Sequence, residues 1–257
     1  LQELFASQSV VADWGDTPDL GSFYGREREQ ETLERWLVDD RCRLVAIVGM
    51  GGIGKTVLAT KVARQVSSHF DYVIWRSLIN APPLTSIVRA WLHILSQQQL
   101  HPLPDHLAEQ LELLFGYLRR KRCLLILDNL ETIMQQESRA GHYRPGYELY
   151  GQLIQRFGDS EHQSCLLLTS RERPQGLARF ANDQPLVRFH QLAGLAPSAS
   201  LAILQGQGLS GSAHVLAGLV EHYSGHPLAL KLIAQTIQQL FAGDIAAFVR
   251  EDALIFD

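Results

Sequence analysis

Apolar positions along the chain fall into short continuous runs, separated by stretches in which they recur at helical spacing. The run at residues 44–48, Leu-Val-Ala-Ile-Val, shows no polar alternation, the pattern of a strand covered on both faces in a parallel sheet. Residues 72–78, β-branched and aromatic, predict a second strand. Residues 124–127 predict a third that ends at Asp128, residues 165–169 a fourth and residues 186–189 a fifth. Between them lie amphipathic stretches that predict helices over residues 27–37, 55 to about 67, 84–98, 105–120 and 147–157. In the first of these, Leu33, Trp36 and Leu37 recur among Arg and Glu. Residues 132–146 are polar and contain glycine, and predict an insertion or mobile loop.

Strands alternating with helices predict a doubly wound, mainly parallel sheet covered on both faces. Right-handed crossovers put the strand C-terminal ends on one rim, where ligands bind. Gly49, Asp128 and Ser170 all follow strand ends, so they are expected to converge there. From Ala196 onward only helical signals remain, at residues 197–206, 212–223, 227–241 and 244–255. Ser212 and Asp244 are natural N-caps, and Pro197 and Pro227 suit first helical turns. Residues 1–22 lack a period and carry Gly15, Pro18 and Gly21, which predicts a tail or linker. The expected organisation is therefore a tail over 1–22, an α/β domain over 23–192 and a small four-helix subdomain over 193–257.

Composition narrows the function classes. The 257 residues are 46% hydrophobic with a net charge of −4, which gives no electrostatic ground for nucleic-acid binding. The densest basic run, Arg119 to Arg122, stands directly before an apolar strand and reads as a solvated helix end. Three cysteines, Cys42, Cys123 and Cys165, lie beside or inside apolar runs and form no C-x-x-C pair, which argues for a reducing compartment. No stretch reaches the roughly 18 apolar residues of a membrane span, and no signal-peptide pattern opens the chain, so a cytoplasmic location is expected. Leu1 rather than Met stands first, as in a piece of a longer parent chain.

The chemistry concentrates in Gly49-Met50-Gly51-Gly52-Ile53-Gly54-Lys55-Thr56, which fits G-x-x-x-x-G-K-[ST] between a buried strand and a helix. Glycines let the backbone fold around a phosphate with its N–H groups pointing inward, and the following helix N-terminus adds a positive partial charge. Lys55 would reach the β- and γ-phosphates of a nucleoside triphosphate, and the Thr56 hydroxyl would ligate Mg2+. Average residue frequencies give on the order of one chance match per hundred chains of this length. Asp128, after four aliphatic residues, holds the Walker B position, where a carboxylate binds magnesium directly or through water. Its neighbour Asn129 cannot accept a proton from water at neutral pH, which points to slow hydrolysis, with Glu131 as the alternative water-orienting group. Thr169-Ser170-Arg171 follows the fourth strand. Arg171 there is either a γ-phosphate sensor or an ordinary surface arginine. No His/Cys cluster has zinc-ligand spacing.

Four ordered motifs together resemble one family, the NB-ARC group of STAND ATPases, which are P-loop NTPases. Phe23-Tyr24-Gly25-Arg26-Glu27-Arg28-Glu29 is similar to its hhGRExE signature, and residues 48–56 to its G-M-G-G-[IV]-G-K-T form of Walker A. Thr169-Ser170-Arg171 is similar to its T-T/S-R sensor, and Gly225-His226-Pro227-Leu228-Ala229-Leu230 to its G-[LN]-P-L-A-L motif. The resemblance implies a five-stranded sheet ordered 5-1-4-3-2 in order of appearance. It implies that Phe23, Tyr24, Gly25 and Arg26 contact adenine. Gly51, Gly52, Ile53, Gly54, Lys55, Thr56 and Val57 would hold the phosphates, with Pro227 and Leu228 closing over base and sugar. Lys55, Asp128 and Arg171 would carry the chemistry, with Thr56 and Asp128 on Mg2+.

The family's winged-helix M-H-D motif has no counterpart after Gly225. The stretch from Trp14 to Gly25, Asn129 and residues 147–151 resemble a bacterial, particularly cyanobacterial, branch often joined to WD-type repeats. The function so implied is an ATP/ADP switch that self-associates when ATP-bound and answers to sensor or effector domains elsewhere in a longer chain. A turnover ATPase or small-molecule phosphotransferase is the alternative, and a scaffold with a degenerate site a third reading that intact Gly54, Lys55, Thr56 and Asp128 oppose. No N/T-K-x-D guanine-reading motif is present, so adenine rests on that and on the resemblance.

Overall fold

A computed structural model describes residues 10–99, 102–135, 141–175, 177, 180, 185–248 and 250. In chain order the elements are β1 (Val11–Asp13), α1 (Glu27–Val38), β2 (Leu44–Val48), α2 (Lys55–Val66), β3 (Tyr72–Ser77), α3 (Leu84–Leu95), α4 (Leu107–Arg120), β4 (Cys123–Asp128), α5 (Glu148–Asp159), β5 (Cys165–Ser170), β6 (Val187–Gln191), α6 (Pro197–Gly206), α7 (Ala213–His222) and α8 (Pro227–Leu240). The chain divides into two compact units. One comprises residues up to Asp19, Arg28–Val48 and Thr56–Gln191; the other comprises Leu20–Glu27, Gly49–Lys55 and the chain from Leu192 onward.

The first unit is built on a parallel sheet ordered β1-β3-β4-β5-β2-β6. The five strands read from the sequence occur in the expected order. Burial explains it: every residue of β2, β4 and β5 is buried, so these uninterrupted aliphatic strands take the interior places. The more polar β6 forms one edge. One cluster of buried side chains carries Leu44, Ala46, Ile74, Leu125, Leu127, Leu166 and Leu168 of the sheet against Trp91 of α3, Phe115 of α4, and Tyr150 and Phe157 of α5.

A sixth strand, β1, lies in the stretch read as a tail. It pairs in parallel with β3, Ala12 opposite Val73. Its side chains add an Asp13–Arg76 ion pair at 2.8 Å, and the Arg64 guanidinium lies 5.4 Å from the Trp14 ring centroid. Three residues, two of them exposed, are too few to show a period. α3 ends three residues earlier than its apolar pattern suggests, because Gln97 and Gln98 take φ of 51° and 63°, the left-handed conformation that closes helices. In the loop after β4, Leu130–Ile133 forms a 3-10 turn and Met134 bridges antiparallel to Tyr143; residues 136–140 lie outside the described residues.

The second unit has its own core, with Ile203, Leu204, Leu216, Leu219, Leu230, Ala234 and Ile237 from α6, α7 and α8, and Tyr24 packed against it. Ser212 caps α7, its Oγ accepting from the Val215 N–H at 3.4 Å. Residues 245–248 and 250 are helical, and the Asp244 carboxylate accepts from the Ala247 N–H at 3.0 Å; the remainder of the helix expected over 244–255 lies outside the described residues.

All three cysteines are buried thiols with no disulfide. Burial pushes Cys42 up to about 11 and Cys123 up to about 12. His162, on the loop between α5 and β5, shows the opposite effect. Desolvation lowers it from 6.5 to about 4, against the opposing hydrogen bond to the Phe157 carbonyl at 3.0 Å. Its ring packs against Phe115 and Phe157. A lowered folded value means that the neutral ring is the stable form. The stability it carries, on the order of 3 kcal/mol, is full above pH 6.5 and lost as pH falls toward 4. An NMR titration should therefore find His162 neutral down to about pH 5; a midpoint near 6.5 would contradict this packing.

Candidate functional site

Within the sheet unit, the end of β4 carries a polar cluster in an otherwise aliphatic setting. Asp128 is 2% exposed. Its Oδ1 accepts from the Thr56 hydroxyl at 2.8 Å and from the Thr169 hydroxyl, and its Oδ2 accepts from the Asn129 amide at 3.0 Å. The Asn129 backbone N–H donates in turn to Thr169 Oγ1 at 3.0 Å. Asn129 has φ of 62°, a left-handed conformation that asparagine tolerates better than most residues. Two hydroxyls and an amide therefore hold one buried carboxyl group, donors of the kind such a group needs away from water.

Two residues beyond Asn129, Glu131 Oε1 meets Arg171 Nε at 3.2 Å. The Glu131 side chain is 19% exposed, and its Oε2 is buried with no hydrogen-bond partner. The Arg171 side chain is 64% exposed, so the guanidinium is accessible while tethered at one nitrogen. Ser170, before it, is fully buried. Val57 is half-buried on α2.

Within the second unit, the loop Gly49–Lys55 is organised by its carbonyl groups. Lys55, 6% exposed, donates from Nζ to the carbonyls of Gly49 at 2.9 Å and Met50 at 3.0 Å. Met50 O also accepts from the Ile53 N–H at 3.3 Å. Arg26, 7% exposed, donates from Nη2 to Ile53 O at 3.3 Å and Ala193 O at 2.6 Å. His226 Nε2 is 2.9 Å from Gly51 O. Gly52 and Gly54 have φ of 77° and 100°. A Cβ on Gly54 would meet nothing within 4 Å, so that glycine is demanded by the turn, and the space beside it is open.

The other residues expected to bind cofactor also lie in this unit. Phe23 and Tyr24 are half-buried; a Cβ on Gly206 of α6 would come within 2.7 Å of the Tyr24 hydroxyl. Gly25, with φ of 65°, approaches Ala199 so closely that a Cβ would lie 2.7 Å from that side chain. Pro227 occupies the first turn of α8 and is half-buried, and Leu228 is 47% exposed. Arg26, which the resemblance associates with adenine, spends its guanidinium on main-chain carbonyls. His226 stood in the sequence only as part of the motif over residues 225–230, with no role of its own assigned. Histidine is not a usual N-cap, so the position before Pro227 gave no signal beyond the predicted helix start.

A magnesium nucleotide fits these donors. Within the second unit the loop offers open space beside Gly54 and a lysine; within the sheet unit Thr56 and Asp128 offer the hard oxygens that magnesium prefers. Among the described residues no group of three or more His, Cys, Asp or Glu could hold a metal by itself, and magnesium characteristically takes one or two protein oxygens together with phosphate oxygens.

A glycine loop between a buried parallel strand and a helix, with a lysine at the helix start and an acid at the end of another strand, defines a P-loop NTPase. The chain belongs to the NB-ARC domain family, whose pattern matches residues 26–213. It is 43% identical to an uncharacterized WD repeat-containing protein of Nostoc sp., over all of this chain and 21% of that protein. It is 27% identical to the disease resistance protein RGA2 of Solanum bulbocastanum, over 53% of this chain and 15% of that one. The chain thus spans about a fifth or less of these relatives' lengths. In fold it is similar to a signal transduction ATPase (STAND) protein with a tetratricopeptide repeat sensor from Pyrococcus horikoshii, with TM-score 0.64 at 20% identity, over 86% of this chain and 31% of that one. It is also similar to the Walker-type ATPase of Pyrococcus abyssi, with TM-score 0.53 at 18% identity, over 89% and 71%. No helix among the described residues is long and apolar enough to cross a membrane.

Proposed function

We propose that the chain is the nucleotide-binding module of a signalling switch, holding ATP or ADP with Mg2+ and controlling the arrangement and self-association of a longer protein. The observation that carries this reading is the phosphate loop itself. Its carbonyls at Gly49, Met50, Gly51 and Ile53 are bound by side-chain donors, and Gly52 and Gly54 adopt the left-handed conformations that a phosphate-binding turn needs. In this reading Gly51, Gly52, Ile53, Gly54 and Val57 line the phosphates. Lys55 leaves the two loop carbonyls it now caps for the β- and γ-phosphates. Magnesium, when bound, neutralises phosphate charge. Thr56 and Asp128 hold it, and the hydroxyl of Thr169 keeps the carboxylate aimed. Phe23, Tyr24, Pro227 and Leu228 are assigned to base and sugar, and adenine is favoured over guanine by the family and by the lack of an N/T-K-x-D motif.

Hydrolysis in this site is slow. Asn129, beside the Asp128 carboxylate, is an amide and takes no proton from water; Glu131 is tied to Arg171 through Oε1 and keeps only its buried Oε2 uncommitted. That separates the switch from the alternative of a turnover ATPase or phosphotransferase. A switch needs two arrangements whose affinities for ADP and ATP differ, and Arg171 is assigned to read the difference, since only the triphosphate carries a γ-phosphate. Sensor and effector partners belong to parts of the longer protein outside this chain, as the WD repeats of the Nostoc relative illustrate. The location that suits this role is the cytoplasm.

Two substitutions test this. Lys55→Ala should abolish triphosphate binding in titration calorimetry, and unchanged affinity would sink the phosphate-loop assignment. Arg171→Ala should weaken ATP about tenfold or more while changing ADP little, the loss typical of one charge-assisted contact. Equal loss for both nucleotides would remove its γ-phosphate role.

A further inference from the structure

We propose that His226 is a latch on the phosphate loop, a positioning residue that holds the Gly51 turn and so slows the exchange of bound nucleotide. The inference rests on the nucleotide reading above and assigns to it a residue that neither touches nucleotide nor belongs to the loop.

The imidazole serves two orphaned backbone groups at once. α8 begins at Pro227, and the first N–H groups of a helix have no partner inside it. His226 Nδ1 supplies one, accepting from the Ala229 N–H at 3.2 Å. That acceptor role places the ring proton on Nε2, which donates to the Gly51 carbonyl at 2.9 Å. The two bonds require opposite roles of the two nitrogens, and the neutral ring supplies one of each. The backbone around the contact is equally close. At Gly52 a Cβ would lie 3.0 Å from His226 Cε1 and 2.7 Å from Leu228 Cδ2. Only a glycine permits the loop to seat on the 226–228 turn in this way.

The other tied carbonyls are held from within the motif by Lys55 and Ile53, or by Arg26 upstream. Gly51 O is the one held by the N-terminus of α8, so the shape of the loop depends on where that helix stands. A loop held from outside binds phosphate without having to reorganise. A loop released at Gly51 samples other turns and lets nucleotide go. Leu or Asn occupies this position in the family pattern, and neither can both cap the helix and reach Gly51.

His226→Asn separates the two roles, because the asparagine oxygen still caps Ala229 while the amide is too short for Gly51. Two measurements decide the matter. In nucleotide-free protein, amide hydrogen exchange across Gly51–Gly54 should rise in H226N. Release of N-methylanthraniloyl-ADP should quicken by about fivefold, the factor set by one ordinary hydrogen bond. The thermal midpoint should stay near wild type in H226N and fall in His226→Ala, which loses the cap as well. Wild-type exchange and release rates in H226N overturn the latch while leaving the nucleotide site standing. A wild-type protein that takes up no labelled ADP overturns the nucleotide reading and this role with it.

Discussion

A phosphate loop binds anions with its N–H groups, and those face inward only if the carbonyl groups of the same peptides are satisfied on the outside. This constraint organises the second unit. Lys55 holds the carbonyls of Gly49 and Met50, His226 that of Gly51, and Arg26 that of Ile53. An unpaired buried carbonyl is costly, so Arg26 and His226, which keep their carbonyls when Lys55 turns to phosphate, are conditions for the loop's shape rather than accessories to it. Two of the three are the residues that sequence motifs place far from the loop, one 27 positions upstream and one 175 downstream. The GRE and GHPL motifs thus have a physical role besides any contact with base or sugar: they are where the loop's outer face is fastened.

In the sheet unit the corresponding problem is a buried carboxylate. Asp128 ends a strand whose every residue is buried, and three side-chain donors, from Thr56, Asn129 and Thr169, bond its oxygens. β5 lies beside β4, which brings Thr169 within reach; an order that separated these two strands would leave that hydroxyl elsewhere. Fold and chemistry are therefore linked through strand order: aliphatic content drives β2, β4 and β5 inward, and their ends then present the polar groups.

Much of this was legible in the sequence because the signals were local and strong. Aliphatic runs marked the five main strands, and the glycine spacing marked the loop. Capping chemistry marked α7, whose start at Ser212 occurs as read. β1 was not legible, since three residues, two of them exposed, carry no period and owe their conformation to pairing with β3. The end of α3 was misplaced by three residues because glutamine gives no warning of a left-handed backbone. For the site, residue types named Lys55, Thr56 and Asp128, but what holds them was invisible. The Glu131–Arg171 pair joins residues 40 positions apart across two strand ends, and His226 acts through a ring geometry that only the fold defines. Sequence spacing finds groups that act along one turn; it does not find groups that meet across the structure.

The central claim is that the site retains an adenine nucleotide and turns it over slowly. The most direct measurement is to denature the purified protein and identify the released nucleotide by anion-exchange chromatography. The account predicts adenine nucleotide, chiefly ADP, at close to one per chain. An empty site in a protein that rapidly hydrolyses added ATP would contradict it, and would make this a working ATPase rather than a switch.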